Sequence, residues 1–402
     1  VHHVFCEEKS RPEGGNLIQL RSYSDPQSFN RQIPQSITIG HFIKRHPDYI
    51  SRAKFISLSL NPISHSFNFI TKMLYGMISG GLPFDPHVDI SSLAGKIVFI
   101  TGGNAGIGLE TILELASHHP AHIYIAARNA SSAEAAIAVI HTAFPSATVT
   151  YLSCDLTDLD SVTACARSFV ERENRLDLLI LNAGIMATPA ATTVQGYEIQ
   201  FGTNHVGHFL LTKLLRPTLC ETAKLPGTDV RVVSVASIAH LFAPWAGIVF
   251  AELKTDMKRW LTAQRYGQSK LANILFIKEL ARQFDEDKTG VLAVAVHPGV
   301  VDTGLYASVD KWPVLGFLLK LIKRAGGMFL TSRQGAMTQL WALTAARAEL
   351  GVDANHSAGK VVSGDYYTPV GMAGQGNKTT KDAGLAKRLW EWTDEEVKQY
   401  VL

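Results

Sequence analysis

The sequence predicts an α/β fold in which one doubly wound parallel sheet spans residues 81–402 as a single domain, behind an N-terminal extension of low order over residues 1–80. Three observations predict it. From Gly95 onward, short apolar runs alternate with helix-length amphipathic segments and no linker-like break intervenes, which is the pattern of parallel strands covered on both faces. A glycine-rich turn joins the first apolar run to the first helical segment. The first 80 residues, rich in Ser, Asn, Pro and His, lack the apolar periodicity needed to offset the entropy of ordering them.

The first strand is read at Ile97-Val98-Phe99-Ile100 and the first helix at 109–116, with Thr101-Gly102-Gly103-Asn104-Ala105-Gly106-Ile107-Gly108 between them. Such a turn lets backbone approach a pyrophosphate, whose charge is met by amides and the helix dipole. A second chemical signal lies far downstream, in Tyr266-Gly267-Gln268-Ser269-Lys270. A helix over residues 266–284 sets the phenol and ammonium on one face, four positions apart. A neighbouring cation lowers the pKa of a phenol from its ordinary ~10 and makes it usable as an acid or base near neutrality. That chemistry suits reversible carbonyl reduction; in isolation the pair also reads as two surface residues of an amphipathic helix. The Gly-x-x-x-Gly-x-Gly spacing, with Tyr-x-x-x-Lys after it, resembles the short-chain dehydrogenase/reductase family, in its retinol-dehydrogenase-like and fungal branches. The resemblance implies a Rossmann-type sheet.

The remaining elements follow in that family's order. The second strand, 122–126, runs into Ala127-Arg128-Asn129. Ala127 stands where NAD-dependent members carry an acid, and an arginine can pair with a 2′-phosphate, so Arg128 favours NADP(H); its alternative is a solvated charge. The third strand, 148–153, ends in Cys154-Asp155-Leu156, where the resemblance assigns Asp155 to the adenine amino group; the alternative is a helix cap near Asp158. The fourth, 176–181, leads into Asn182-Ala183-Gly184, which in the family braces the sheet beside the cofactor.

The stretch Phe201-Gly202-Thr203-Asn204-His205-Val206-Gly207-His208-Phe209 is similar to the family helix whose Asn holds a relay water, a role the resemblance carries to Asn204. His205 and His208, three apart with no further ligand at zinc spacing, read as packing or hydrogen-bonding residues, and no metal site is expected. The fifth strand, 230–235, ends in Ala236-Ser237, and Ser237 matches the family's substrate serine. A long segment, 240–264, then precedes Tyr266 and argues for a sizeable ligand. The sixth strand, 291–296, runs into His297-Pro298-Gly299-Val300-Val301-Asp302-Thr303, which matches the family's Pro-Gly turn with its carboxamide-binding Thr; Asp302 reads as a capping or solvated charge. A helix at 334–345, a last strand at 360–362 before the turn 364–371, and a short terminal helix announced by Thr393 three before Glu396 complete the chain.

The implied catalytic set is Asn204, Ser237, Tyr266 and Lys270, and the implied NADP(H) set is Gly102, Asn104, Gly106, Ile107, Gly108, Arg128, Asp155, Leu156, Asn182, Ala183, Gly184, Tyr266, Lys270, Pro298, Gly299, Val301 and Thr303. The implied function is NADP(H)-dependent interconversion of a carbonyl and an alcohol on an apolar, fairly large small molecule. Two alternatives stay open: a membrane-associated retinoid or sterol dehydrogenase, and a catalytically silent NADP-binding sensor or scaffold on the same fold. The apolar stretch 312–324, closed by Lys323-Arg324, reads as a lid, a membrane-surface patch or core, and is too short to span a bilayer.

The formal charge of +3 is concentrated at the front, where residues 1–80 hold nine Lys and Arg against five Asp and Glu. Nothing in it suggests nucleic acid. Cys6, Cys154, Cys165 and Cys220 have neither paired nor metal spacing, which favours a reducing, cytoplasmic setting over an oxidising one. Peripheral-membrane and mitochondrial placements, and a homo-oligomer, stay open. No secretory signal is expected; Met73 and Met77 are candidate natural starts, since the chain opens on Val1.

Overall fold

Ile97, Val98, Phe99, Ile100 and Thr101 are all buried, so the strand they form must be covered on both faces. In the computed structural model it lies inside a seven-stranded, fully parallel sheet, with two strands on one side and four on the other. The structure describes residues 81–301, 329–349, 352, 357 and 359–402, and the backbone of 3–10 and 16–23. The chain divides into two compact units, Val1–Phe69 and Ile70–Leu402. In the first, strands β1 (His3–Ser10) and β2 (Asn16–Tyr23) pair antiparallel, His3 opposite Tyr23 and Ser10 opposite Asn16. No strand is expected there from the sequence. The rest of the extension expected over 1–80 lies outside the described residues.

The second unit opens with a short helix, α1 (Pro86–Asp89), capped by Asp85. The alternation that follows is β3 (Ile97–Thr101), α2 (Gly106–Ala116), β4 (His122–Ala127), α3 (Ala130–Ala143), β5 (Val149–Ser153), α4 (Leu159–Val170) and β6 (Leu178–Leu181). Next come α5 (Ile199–Phe201), a π-helical turn over Gly202–Val206, α6 (Gly207–Ala223), β7 (Arg231–Val235), α7 (Thr262–Glu286), β8 (Leu292–Val296), α8 (Ser332–Thr344), β9 (Tyr366–Tyr367) and α9 (Ala383–Glu396).

Across the sheet the order is β5-β4-β3-β6-β7-β8-β9. The chain winds outward from β3 in one direction, returns to β6 beside it and winds outward in the other. The order therefore reverses between β3 and β6, and a crevice opens at their carboxyl ends, where such sheets bind ligands. Alternation along β3 sends Ile97 and Phe99 into the core layer that α4, α6, α7 and α9 cover, and Val98 and Ile100 into the layer under α2, α3 and α8.

Two expectations need correction. The last strand is Tyr366–Tyr367 rather than 360–362, because it is the later pair that reaches register with β8, Tyr366 opposite Ala295 and Tyr367 opposite Val296. Val361 makes only an isolated parallel bridge with Arg347. The terminal helix begins at Ala383, with Asp382 accepting from the Leu385 amide at 2.9 Å. Thr393 lies in its last turns, fully buried, its hydroxyl donating to the Leu389 carbonyl at 2.8 Å. The apolar period through Ala386, Leu389 and Val397 keeps one face of this helix in the core, and the Thr-x-x-Glu spacing falls inside it.

Candidate functional site

The turn from β3 into α2 is shaped for close approach. Gly102 and Gly106 sit at φ of +67° and +55°, the left-handed region that glycine enters without strain. A Cβ on Gly108 would come within 2.3 Å of the Gly102 carbonyl oxygen and 2.6 Å of Asn182 Nδ2, so this position admits no side chain. No side chain caps α2 and no acid occupies its first turn. The loop, with Ile107 at the second helical position, therefore presents a positive helix end, and the residues fit a dinucleotide pyrophosphate.

A buried network fixes the neighbouring segment after β6. His208 Nδ1 lies 3.0 Å from the Asn204 carbonyl, which can only accept, so Nδ1 carries the proton. Burial pushes the His208 pKa down to about 3, and the neutral ring accepts at Nε2 from the Thr101 hydroxyl at 2.8 Å. The Thr101 oxygen in turn accepts the amides of Asn182 and Ala183, each at 3.0 Å. Asn182 Nδ2 reaches back to the carbonyls of Thr101 and Gly102 at 3.0 and 3.2 Å. The two strand ends flanking the crevice are thereby locked together.

At the end of β4, Arg128 is exposed and no described residue pairs with it. Asn104 Nδ2 bonds Ser132 Oγ at 2.8 Å, tying the glycine loop to the start of α3, and Asn129 caps that helix by accepting from the Ser132 amide. Asp155 does not cap α4; Asp158 does, and Asp155 Oδ1 holds the amide and hydroxyl of Thr157 at 2.9 and 2.8 Å. Leu156 is buried in the core, so close to α6 that a Cβ on Gly207 would meet its carbonyl oxygen at 2.8 Å.

Asn204 lies within the π turn, a distortion frequent at functional sites. Its amide nitrogen donates to the Ile185 carbonyl at 3.0 Å and to Ser269 Oγ at 2.9 Å, and its oxygen accepts the Ile185 amide at 2.8 Å. Ser269 donates to the Tyr266 carbonyl at 2.8 Å. A Cβ on Gly184 would stand 3.2 Å from Asn204 Oδ1 and 3.4 Å from Lys270 Nζ. Gly184, Asn204 and Lys270 thus meet at one point.

Tyr266 and Lys270 lie near the start of α7, both buried, with the ammonium 5.8 Å from the phenol ring centroid. Lys270 Nζ donates to the Val235 carbonyl at 2.8 Å, at the carboxyl end of β7. Burial lowers its pKa to about 7. Ser237 accepts the Ala239 amide at 3.1 Å and so starts the 3₁₀ turn Ile238–Phe242, leaving its O–H to donate. Gly267 lets that turn press on α7, since a Cβ there would meet Ala239 O at 2.6 Å. On the far side, Pro298 and Gly299 are buried, Gly299 at φ +88°, and Val301 bridges Leu330. Thr303 and the stretch 312–324 lie outside the described residues.

The structure therefore gathers Gly102, Gly108, Asn182, Ala183, Gly184, Asn204, Ser237, Tyr266 and Lys270 at the carboxyl ends of β3, β6 and β7. Residues 96–314 match the family model described as short chain dehydrogenase. The chain belongs to the short-chain dehydrogenase/reductase family. A short-chain dehydrogenase/reductase of Aspergillus calidoustus, drtF, is 39% identical over 318 residues, covering 77% of this chain and 96% of that one. Retinol dehydrogenase 12 of Mus musculus is 40% identical over 299 residues, covering 74% and 85%. An uncharacterised protein from Mycobacterium Paratuberculosis, known as a crystal structure, is similar at 30% identity and a TM-score of 0.58, covering 79% of this chain and 98% of that one. As a family member the protein is an oxidoreductase.

Sequence reasoning missed Thr101, Gly267 and Ser132 as supports, and also Arg265. Arg265 Nη1 pairs with the fully buried Glu198 at 2.8 Å, and its Nη2 holds the Thr188 carbonyl at 2.9 Å, fixing the start of α7 one residue before Tyr266. A charge beside the Tyr is the signal that could have found it. Among the described residues no group of His, Cys, Asp and Glu is arranged to hold a metal, and no helix is long and apolar enough to cross a membrane.

Proposed function

We propose that the protein is an NADP(H)-dependent short-chain dehydrogenase/reductase that interconverts a carbonyl and an alcohol on an apolar, fairly large small molecule. The observation that carries this reading is the buried Tyr266–Lys270 pair at the crevice mouth, linked through Ser269 to Asn204. When bound, the nicotinamide supplies or accepts the hydride. The Tyr266 hydroxyl gives its proton to the carbonyl oxygen, and the Ser237 O–H holds that oxygen while charge develops. The Lys270 ammonium lowers the cost of the phenolate; its burial, which brings its pKa to about 7, lets it give up and regain a proton near neutrality. Asn204 braces Ile185 and Ser269 and anchors the relay water. The glycine turn and the α2 end would hold the pyrophosphate, Asp155 the adenine, and Arg128, exposed and unpaired among the described residues, the 2′-phosphate.

The preference for an apolar substrate is supported by the segment between Ser237 and Tyr266, where Trp245 and Leu261 are exposed. The likeness to retinol dehydrogenase 12 favours a second reading, in which the substrate is a retinoid. One experiment tests both: NADPH oxidation measured against ketones, aldehydes, quinones and retinal, with Tyr266→Phe as control. Turnover by the parent and a loss of ~10²–10⁴ in the Phe variant, with NADPH binding kept, are expected. A Phe variant as fast as the parent removes Tyr266 from the role. A parent that binds NADPH but reduces nothing on the panel favours the silent sensor.

A further inference from the structure

An ion pair that begins one residue before Tyr266 is buried and takes no part in the mechanism above. Arg265 and Glu198 are 3% and 0% exposed, and Arg265 Nη1 donates to Glu198 Oε1 at 2.8 Å. Taking two ions out of water costs about as much as their attraction returns, and apolar residues of similar volume often stabilise a core equally well. Stability alone therefore does not account for the pair.

Its attachments do. Glu198 Oε2 accepts the Phe201 amide at 2.7 Å and so caps α5, the short helix that runs straight into the π turn and reaches Asn204 three residues later. The Glu198 amide donates to the Leu253 carbonyl at 2.8 Å, which attaches the long segment between Ser237 and Tyr266. Arg265 Nη2 donates to the Thr188 carbonyl at 2.9 Å, in the segment after β6 whose Ile185 holds Asn204 through both its amide and its carbonyl. Thr262 stitches these segments again, its hydroxyl donating to the Thr188 carbonyl at 3.1 Å and its carbonyl accepting from Gln200 Nε2 at 3.2 Å. A separate route runs from Asn204 through Ser269 to the Tyr266 carbonyl. Asn204 and Tyr266 are thus joined twice, once through Ser269 and once through Glu198 and Arg265, and the two routes close a ring.

We propose that Glu198 and Arg265 are positioning residues of the reaction: the pair sets Tyr266 relative to Asn204 and, through Leu253, relative to the segment that borders the substrate. This role rests on the function proposed above. A carboxylate accepts at two oxygens and a guanidinium donates from several nitrogens in fixed directions, so one pair holds α5, α7 and the segment after β6 at set distances. An apolar pair of equal volume fills the same space and fixes no direction.

The test removes the link without leaving a charge behind. In Glu198→Gln/Arg265→Met both side chains keep their approximate volume and the glutamine oxygen still caps α5, whereas the connection to α7 and Thr188 is gone. A melting temperature within a few degrees of the parent's is expected, with NADPH affinity unchanged because the glycine turn lies on another strand end. The kcat for carbonyl reduction should fall by roughly 10- to 100-fold, the cost of a displacement near ~1 Å at a reacting centre. A pair that serves only stability lowers the melting temperature and leaves the kcat of the folded enzyme within about twofold of the parent's, and that result overturns the proposal. If the double variant does not fold, Arg265→Lys takes its place. It keeps a cation beside Glu198 but has one ammonium instead of a fork, so it gives up the Thr188 carbonyl; a kcat lower by about tenfold supports the proposal and a parental kcat overturns it. Crystal structures of the NADP-bound parent and variant give a readout without turnover: the Tyr266 hydroxyl should stand about 1 Å from its parental place relative to Asn204, and an unmoved hydroxyl overturns the proposal. A parent that reduces no carbonyl ends the proposed function, and the two crystal structures then decide whether the pair sets this geometry.

Discussion

Replacing Gly267 by Ala should disable the enzyme through packing alone. In most helix interiors this substitution stabilises by ~1 kcal/mol, because alanine has less backbone entropy to lose. Here the new Cβ would lie 2.6 Å from Ala239 O, 2.7 Å from Ala243 N and 2.8 Å from the Phe242 carbonyl carbon. All three are backbone atoms of the turn that Ser237 starts, so no side-chain rotation relieves the contact. Ordinary contact begins at 3.4 Å, and 3.4 minus 2.6 requires the turn to retreat by about 0.8 Å. Overpacking of this kind costs ~1–3 kcal/mol, which outweighs the helix gain. Ser237 moves with its turn, away from Tyr266, and a displacement near ~1 Å at a reacting centre costs on the order of 10² in rate. The assay is kcat on the best carbonyl of the panel, beside the melting temperature and NADPH affinity. We expect kcat to fall by about two orders of magnitude, a melting temperature lowered by a few degrees and nearly unchanged NADPH binding, because the glycine turn is on another strand end. A folded variant whose kcat stays within about twofold of the parent would refute the idea that close packing of this turn sets the Ser237–Tyr266 geometry.

Arg128→Ala should weaken NADPH at least ~10-fold more than NADH, since only the phosphate contact is lost; titrations showing equal weakening would make Arg128 structural. Burial holds Lys270 near 7, below the ~10.4 of an unfolded lysine, so between those values the unfolded chain binds more protons and native stability rises with pH. Lys270→Met should remove that rise, worth up to ~1.4 kcal/mol per pH unit, and urea midpoints that change in parallel for both proteins from pH 7 to 10 would contradict the assignment. A chain starting at Met77 should keep full activity and melting temperature, because the sheet begins at Ile97 and Leu82 already docks on the Val370 carbonyl at 2.8 Å; a fall of many degrees would move the boundary.

The sheet was legible because its inner strands are buried on both faces, so that Ile97 to Ile100 and Leu178 to Leu181 are continuous apolar runs. The candidate site was legible for a related reason: the glycine turn and the Tyr-x-x-x-Lys pair each occupy one local segment at fixed spacing, so the sequence alone could single them out. The last strand was not, because Val361-Val362 has stronger strand propensity than Tyr366-Tyr367, and only tertiary register with Ala295 and Val296 selects the later pair. The terminal helix was misread at Thr393 because a capping spacing is four residues of weak pattern, whereas the buried stripe through Ala386 and Leu389 is what holds the helix. Gly267 was invisible, since nothing local shows that another backbone will press on it.

The fate of the histidines makes the same point about long-range partners. His205 and His208 stand three residues apart, both fully buried and both pushed down to about 3, burial being the largest cause. His208 has a partner at each nitrogen, Thr101 and the Asn204 carbonyl, and through Thr101 it sets the segment beside the glycine turn. His205 meets the Thr393 hydroxyl at 3.1 Å and so ties α9 to the π turn that carries Asn204. A neutral ring with both nitrogens paired can specify one geometry without carrying charge into the core. His297, equally buried, has neither nitrogen paired among the described residues. Of the three buried rings, His208 alone is paired at both nitrogens, whereas Nδ1 of His205 and both nitrogens of His297 have no partner among the described residues, so burial by itself does not mark the histidine that fixes geometry; the partners that the fold brings to it do.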